Sequence, residues 1–266
     1  MNLTRALLTA FTLLVSAGCR RKHVSVATVQ ELPYPSCSDG GTAEGEALAA
    51  GSLRAGPTAN EPSVVERFEL RRRDCLFVLT ARQEWLRQSS DVEVVYDREM
   101  LPLRAWKRMT IPGVSRSDGN ADIRRYELRG PEVTITRRVS GGPRTYEILR
   151  GERPSVVIGP GRGTLTPWIR RAHLQPGGAV REHVLDMREL LETLRPVTLR
   201  RDPDLYVPAL GRTVRVYTVY GRESVFADET DAVIGDLAGM LPADRVSTPA
   251  PLPMPRYGEP DPVHTP

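Results

Sequence analysis

Lysine, cysteine and histidine are all scarce in this chain. Of 266 residues only Lys22 and Lys107 are lysines, three are cysteines and four are histidines. Basic residues are therefore almost all arginine, and 37 basic against 33 acidic residues give a formal charge of +4 and a sequence pI near 9.1. A dedicated nucleic-acid binder is more lopsided than that. His173 and His183 are the only histidines between residues 64 and 239, and no HExxH, CxxC or dense Asp/Glu/His cluster accompanies them, so a metal site is not expected. The GxSxG elbow of the serine hydrolases is missing too. Long apolar runs are lacking: the stretch from Ala6 to Val15 is short of the roughly 20 residues that a membrane-spanning helix needs. The 22 Gly and 23 Pro argue against extended helical arrays. What remains is 29.5 kDa with 40% hydrophobic residues, enough for a sizeable buried core.

The first residues carry export information. Arg5, the apolar run Ala6 to Val15 and the small residues Ser16-Ala17-Gly18 before Cys19 read as a secretion signal. Small residues directly before a cysteine resemble the lipobox of bacterial lipoproteins, with Ser16 in place of the leucine preferred at that position. The alternative is an ordinary signal peptide with a coincidental cysteine. The resemblance implies cleavage after residue 18, a diacylglyceryl group on Cys19 and a mature protein held at a membrane surface. Two or three acyl chains hold where one would let go, since each buried methylene contributes about 0.8 kcal/mol. Arg20, Arg21 and Lys22 would then lie among anionic headgroups. Arg20 stands where an aspartate would favour inner-membrane retention, so the resemblance points to the outer membrane.

Lipidation of Cys19 leaves Cys37 and Cys75 as an even pair in an oxidising compartment, and a disulfide between them is the expectation. The alternative is an exposed thiol at Cys37 and a buried one at Cys75.

Composition divides the rest. Residues 19–62 are rich in Ala, Gly, Pro, Ser and Glu and read as a disordered tether, with a short helix over Glu44 to Leu53. Residues 241–266 form a proline-rich tail, Pro249, Pro251, Pro253 and Pro255 alternating. The folded domain spans 63–240. Inside it apolar residues recur at every second position, as in Val92, Val94 and Tyr96, or Val133 and Ile135, and turn dipeptides such as Pro112-Gly113 and Gly141-Gly142 separate the runs. The class is mainly β, a β-dominated α+β fold built as an antiparallel meander. Strands are expected near 64–70, 75–82, 92–98, 102–109, 122–128, 131–139, 143–150, 154–158, 180–185, 197–201, 213–220, 223–228 and 231–235. Thr166 before Pro167 predicts a short helix to Leu174. Asp186 with Glu189 resembles a capping box ahead of Leu190, Leu191 and Leu194, a segment that could equally be a strand.

Few residues suggest chemistry. The turn Gly159 to Thr164 presents Gly161, Arg162 and Gly163 as a weak anion-binding candidate, the alternative being a glycine turn with Arg162 in solvent. It lacks the Lys-Ser/Thr ending of a nucleotide P-loop. His183 and Asp186 could form a dyad, against a surface histidine near a turn. Asp228, Glu229, Asp231 and Asp236 suggest a hydrolase or a solvated hairpin, and fit no EF-hand spacing. Trp85, Trp106 and Trp168 either line a groove or fill the core. No catalytic residue and no cofactor are assigned.

A lipobox, a tether and an antiparallel meander with one helical excursion together resemble bacterial envelope lipoproteins whose curved sheet forms a half-barrel, similar to the lipoprotein-carrier LolA/LolB group. Val95-Tyr96-Asp97, Leu101-Pro102-Leu103-Arg104 and Gly159 to Trp168 also resemble uncharacterised lipoproteins of GC-rich proteobacteria. The resemblance implies a non-enzymatic protein that binds a hydrophobic or amphiphilic envelope component on its curved sheet. The alternatives are an assembly lipoprotein that binds envelope proteins and a hydrolase that uses acidic residues. The expected partners are a membrane, through the anchor, and a lipid or envelope-protein ligand, with no nucleic acid.

Overall fold

Period-two patterning becomes strand throughout the residues that the computed structural model describes, which are 45–56, 64–85, 88–110, 121–130, 132–139, 143–188 and 192–245. Eight strands follow one another as hairpins: β1 (Glu46–Ala55), β2 (Val65–Arg73), β3 (Leu76–Trp85), β4 (Gln88–Tyr96), β5 (Pro102–Thr110), β6 (Ala121–Glu127), β7 (Glu132–Val139) and β8 (Arg144–Arg150). Then come β9 (Val156–Ile158), a 3-10 turn over Arg162–Leu165 and helix α1 (Thr166–Ala172). The chain returns through β10 (Ala179–Asp186), β11 (Thr193–Val207), β12 (Arg212–Val219), β13 (Glu223–Ala227), β14 (Val233–Asp236) and β15 (Met240–Pro242).

These strands make two sheets. The first has nine strands in the order β15-β1-β2-β3-β4-β5-β6-β7-β8, every neighbouring pair antiparallel, and it curls strongly into a half-barrel. The second has six, β14-β13-β12-β11-β10-β9, antiparallel except for the parallel β9–β10 pair. Bulges between Ala47 and Ala49 and between Val95 and Tyr96 bend the large sheet. In β11 a register shift between Asp202 and Leu205 absorbs Pro203, which has no N–H for the ladder.

The concave face of the half-barrel is filled. Phe68, Leu70, Leu79, Val94, Tyr126 and Ile135 from the large sheet share one buried cluster with Val157, Leu185 and Met187 from β9, β10 and the residue after it. On the other face of β9 and β10, Trp168 and Ile169 of α1 pack among Val184, Leu199, Tyr217 and Val225. The open, acyl-holding concavity implied by the LolA/LolB resemblance is therefore replaced here by the protein's own core.

Two stretches differ from the sequence expectation. Glu46–Ala55, inside the expected tether, is a strand of the large sheet and not a helix, and Met240–Pro242 pairs with it through Leu53, Arg54 and Ala55, so the domain runs past residue 240. The reason for β1 is tertiary. Gly51 lies opposite Phe68, and a Cβ on Gly51 would stand 2.3 Å from the ring; a Cβ on Gly163 would stand 2.2 Å from the same ring. Both glycines leave the room that this ring needs to seat β1 against the core. Helix α1 does form, but Thr166 is its first residue and accepts a hydrogen bond from the Val233 N–H (3.2 Å) instead of capping the helix. β10 ends at Asp186 and β11 begins at Thr193, those two residues standing opposite one another.

Candidate functional site

A cleft of about 510 Å³ opens where the two sheets meet, at the far end of β3. Its apolar lining comes from Trp85, Ile158, Leu165, Val225 and Leu237; Arg162, Arg188 and Arg222 bring cations, and Glu223 and Asp236 carboxylates. Leu237 is 62% exposed and marks the open side.

Arg162 forms the floor as an ion-pair clamp. Its Nη1 donates to Glu66 Oε1 (2.6 Å), its backbone N–H to Glu66 Oε2 (2.7 Å) and its Nε to Asp236 Oδ2 (2.8 Å), so one side chain ties β2 of the large sheet to β14 of the small one. Burial works against the charge, but the two carboxylates outweigh it and hold the guanidinium pKa above its ordinary value. Gln83 adds a bond from Nε2 to Glu66 Oε1 (2.9 Å). Arg188, on the β10–β11 hairpin, is likewise committed: its Nη2 and Nε bond Asp186 (2.9 and 3.1 Å) and its Nη1 bonds Glu223 Oε2 (2.5 Å). Tyr220 donates to the same Asp186 (2.5 Å), and the guanidinium carbons of Arg188 and Arg195 lie over its ring, 5.0 and 4.8 Å from the ring centre. Despite burial, these donors hold the Asp186 carboxyl below the usual carboxylate range. Arg222 is different. It is exposed on the cleft rim and makes no ion pair among the described residues.

Behind the cleft lies a buried charge network. Lys107, Arg124 and Arg137 sit directly opposite one another on β5, β6 and β7, a row of like charges that would repel. Carboxylates interleave with them. Asp122 Oδ2 accepts from Arg124 Nη2 and Arg137 Nη2, both at 2.8 Å, and Glu192 accepts from Arg124 Nη1 and from Tyr126 Oη (2.9 Å). Lys107 Nζ donates to the Met187 carbonyl. Lys107 and Glu192 thus pin both ends of the β10–β11 turn to the large sheet. Burial first, and Arg124 second, push the Lys107 ammonium down to about 8. What the contacts show in this network is charge compensation, each buried cation meeting a carboxylate or a carbonyl.

No family model matches the chain, and no curated protein does. Two solved structures are similar in part. One is a DUF1089 family protein from Pseudomonas aeruginosa, 18% identical, with a TM-score of 0.42 over 68% of this chain and 92% of that one. The other is a β-barrel-like protein of domain of unknown function DUF1849 from Brucella abortus, 10% identical, with a TM-score of 0.36 over 70% and 81%. At that level of likeness neither says what this chain does.

The residues singled out from sequence fall as follows. Gly161, Arg162 and Gly163 border the cleft or lie beneath it, but Arg162 is neither in solvent nor waiting for an anion: its contacts go to Glu66 and Asp236, and Gly163 is small because Phe68 needs the space. His183 does not meet Asp186; its Nδ1 lies 2.9 Å from Glu152 Oε2. Asp228 caps a turn through the N–H groups of Thr230 and Ala232, Asp231 takes Tyr217 and Arg215, and Asp236 holds Arg162. Trp168 is core, Trp85 lines the cleft, and Trp106 stands on the outer face of the large sheet between two shallow hollows. Cys75 is disulfide-bonded; Cys19 and Cys37 lie outside the described residues. Glu66, Lys107, Arg124, Arg188, Glu192 and Arg222 were not singled out. Lys107 and Arg124 had a readable signal, since each occupies the inward phase of its strand, where Ala105 and Tyr126 are buried.

Proposed function

We propose that this chain is an exported, lipid-anchored outer-membrane protein without enzymatic activity, whose β-barrel-like domain binds one amphiphilic envelope molecule. The cleft between the sheets carries this reading: at about 510 Å³ it falls within the size of ordinary ligand pockets, and it pairs an apolar wall of Trp85, Ile158, Leu165 and Val225 with an uncommitted cation, Arg222, on its rim. An acyl chain or a ring fits the wall, and an acidic headgroup fits Arg222. Arg162 and Arg188 shape the floor and are already neutralised. Export and anchorage rest on the sequence from Arg5 to Cys19.

The test is mass spectrometry of organic extracts from the full-length protein purified out of its own membrane. One amphiphile should copurify in near-stoichiometric amount and fall at least tenfold in Trp85→Ala and in Arg222→Glu. A protein that is empty in wild-type form and still captures another envelope protein would overturn ligand binding in favour of assembly.

A further inference from the structure

Four carboxylates stand at the cleft or just behind it, and the fold holds them unequally. The side chains of Glu66 and Asp236, 2% and 8% exposed, are fixed on Arg162, and that of Asp186, 1% exposed, is fixed on Arg188 and Tyr220. Glu223 is the exception. Its side chain is 37% exposed, and its ion pair among the described residues is the one to Arg188 Nη1 (2.5 Å). An ion pair that open to water is weak, so Glu223 is free to swing outward.

Arg188 does not leave with it. Its Nε and Nη2 stay on Asp186 at 3.1 and 2.9 Å, its backbone N–H stays on Asp186 Oδ1 at 3.0 Å, and its guanidinium lies over the Tyr220 ring. Departure of Glu223 therefore uncovers one nitrogen, Nη1, of a cation that already lines the cleft.

The turn between β12 and β13 places a second cation. Tyr220 and Gly221 have φ of 55° and 70°, and the Arg222 N–H closes the turn on the Val219 carbonyl (3.2 Å). Two successive residues of positive φ suit a tight hairpin turn, but a tyrosine in that region is strained. Its hydroxyl on Asp186 and the guanidinium groups of Arg188 and Arg195 over its ring hold it there. Asp186 thus fixes Arg188 directly and, through Tyr220, the turn that carries Arg222 to the rim.

The balance of charge decides what can enter. Arg162, Arg188, Arg195 and Arg222 stand with Glu66, Asp186, Glu223 and Asp236, four cations with four carboxylates among the described residues. An anion added to that balanced set is opposed, whereas an anion exchanged for Glu223 is not.

We infer that Glu223 is a built-in competitor for the ligand: the headgroup of a monoanionic amphiphile, such as the carboxylate of an acyl chain, displaces it and takes Arg188 Nη1 and Arg222. This rests on the reading of the cleft as an amphiphile site. An uncharged amphiphile leaves Glu223 in place and gains nothing from either arginine. Glu223 therefore sets both the affinity of the cleft and its preference for a single negative charge.

Calorimetric titration of the full-length protein in phosphatidylcholine nanodiscs, with empty discs as the blank, tests this with octanoate, uncharged 1-octanoylglycerol and octyltrimethylammonium. Glu223→Gln should bind octanoate about fivefold tighter than the wild type, the weight of one partly exposed ion pair. It should bind 1-octanoylglycerol as the wild type does, a charge-selective gain that loss of a merely structural ion pair would not give. Octanoate affinity that is unchanged or lower in Glu223→Gln overturns the exchange and leaves cleft binding standing. Octyltrimethylammonium that binds the wild type and not the variant also overturns it, because Glu223 would then be the seat of a cationic head. If none of the three binds either protein, the amphiphile reading of the cleft falls and the exchange falls with it.

Discussion

Arg162 shows how one side chain separates two roles that sequence leaves open. Were it an anion site, Arg162→Ala would lose a ligand and keep its stability. The contacts predict the opposite: Glu66, 2% exposed, and Asp236 would be left as unpaired buried carboxylates, so the variant should lose about 3–5 kcal/mol in urea denaturation. Arg124→Leu should cost a similar amount by removing the cation from buried Glu192, which keeps the Tyr126 hydroxyl, while Asp122 keeps Arg137. Lys107 behaves differently, because its surroundings already disfavour its charge. Its folded pKa of about 8 lies below the ordinary 10.5, so between those values the unfolded chain binds a proton that the folded one does not, and stability rises with pH. The gain is ~3 kcal/mol when complete. Tyr96, Tyr126 and Tyr220 carry pKa values raised by burial and cut the rise off above about pH 10, where unfolded tyrosines ionise. Chemical denaturation from pH 7.5 to 10 should therefore show rising stability in the wild type and a flat profile in Lys107→Met. A wild-type profile as flat as the variant's would mean that Lys107 keeps an ordinary pKa. At the acid end the slope has the same sign: Asp122 and Asp186, held low by arginines, contribute stability that is lost as pH falls below about 4.

At the scale of elements, strands with strict alternation were legible and strands made by their neighbours were not. Val92, Val94 and Tyr96 announce β4, and all thirteen expected strands have counterparts from β2 to β14. Glu46–Ala55 reads EALAAGSLRA, with four Ala and one Gly, residues with little β preference. It is a strand because Gly51 leaves room for the Phe68 ring opposite it, a fact about residue 68 that no local window contains. After Asp186, where helix and strand were both open, β10 ends and β11 begins at Thr193. The Met187 N–H donates to the Ile158 carbonyl (2.8 Å), and the Asp186 carboxylate goes to Arg188 and Tyr220 instead of to a helix N-terminus. The cleft was half legible: the Gly159 to Thr164 turn was marked, but Arg188 and Arg222 reach it from separate hairpins. One substitution tests the account of β1. Gly51→Val puts a branched side chain where Phe68 lies and should destabilise the fold by about 1–3 kcal/mol, whereas Gly211→Ala, where a Cβ would meet nothing within 4 Å, should cost about 1 kcal/mol or less from its positive φ alone.

For the whole molecule the question is whether two sheets make one cooperative unit. The six-stranded sheet lends Val157, Leu185 and Met187 to the core of the nine-stranded one, Leu53 and Met240 pass the other way into the cluster around Trp168, and Arg162 bolts the junction. Neither sheet buries its apolar face without the other. Trp168 reports on the helix and the small sheet and Trp106 on the large one, so fluorescence and far-UV circular dichroism should trace a single coincident urea transition. Reduction adds a second measurement. A bond from Cys37 to Cys75 would close a loop whose removal costs ~4 kcal/mol in the chain-entropy model, all of it through the unfolded state, so the midpoint should fall while the transition stays single. Two separated transitions after reduction would mean that the staple, and not the shared core, joins the sheets; the cleft at their junction would then widen and empty before the strands themselves unfold.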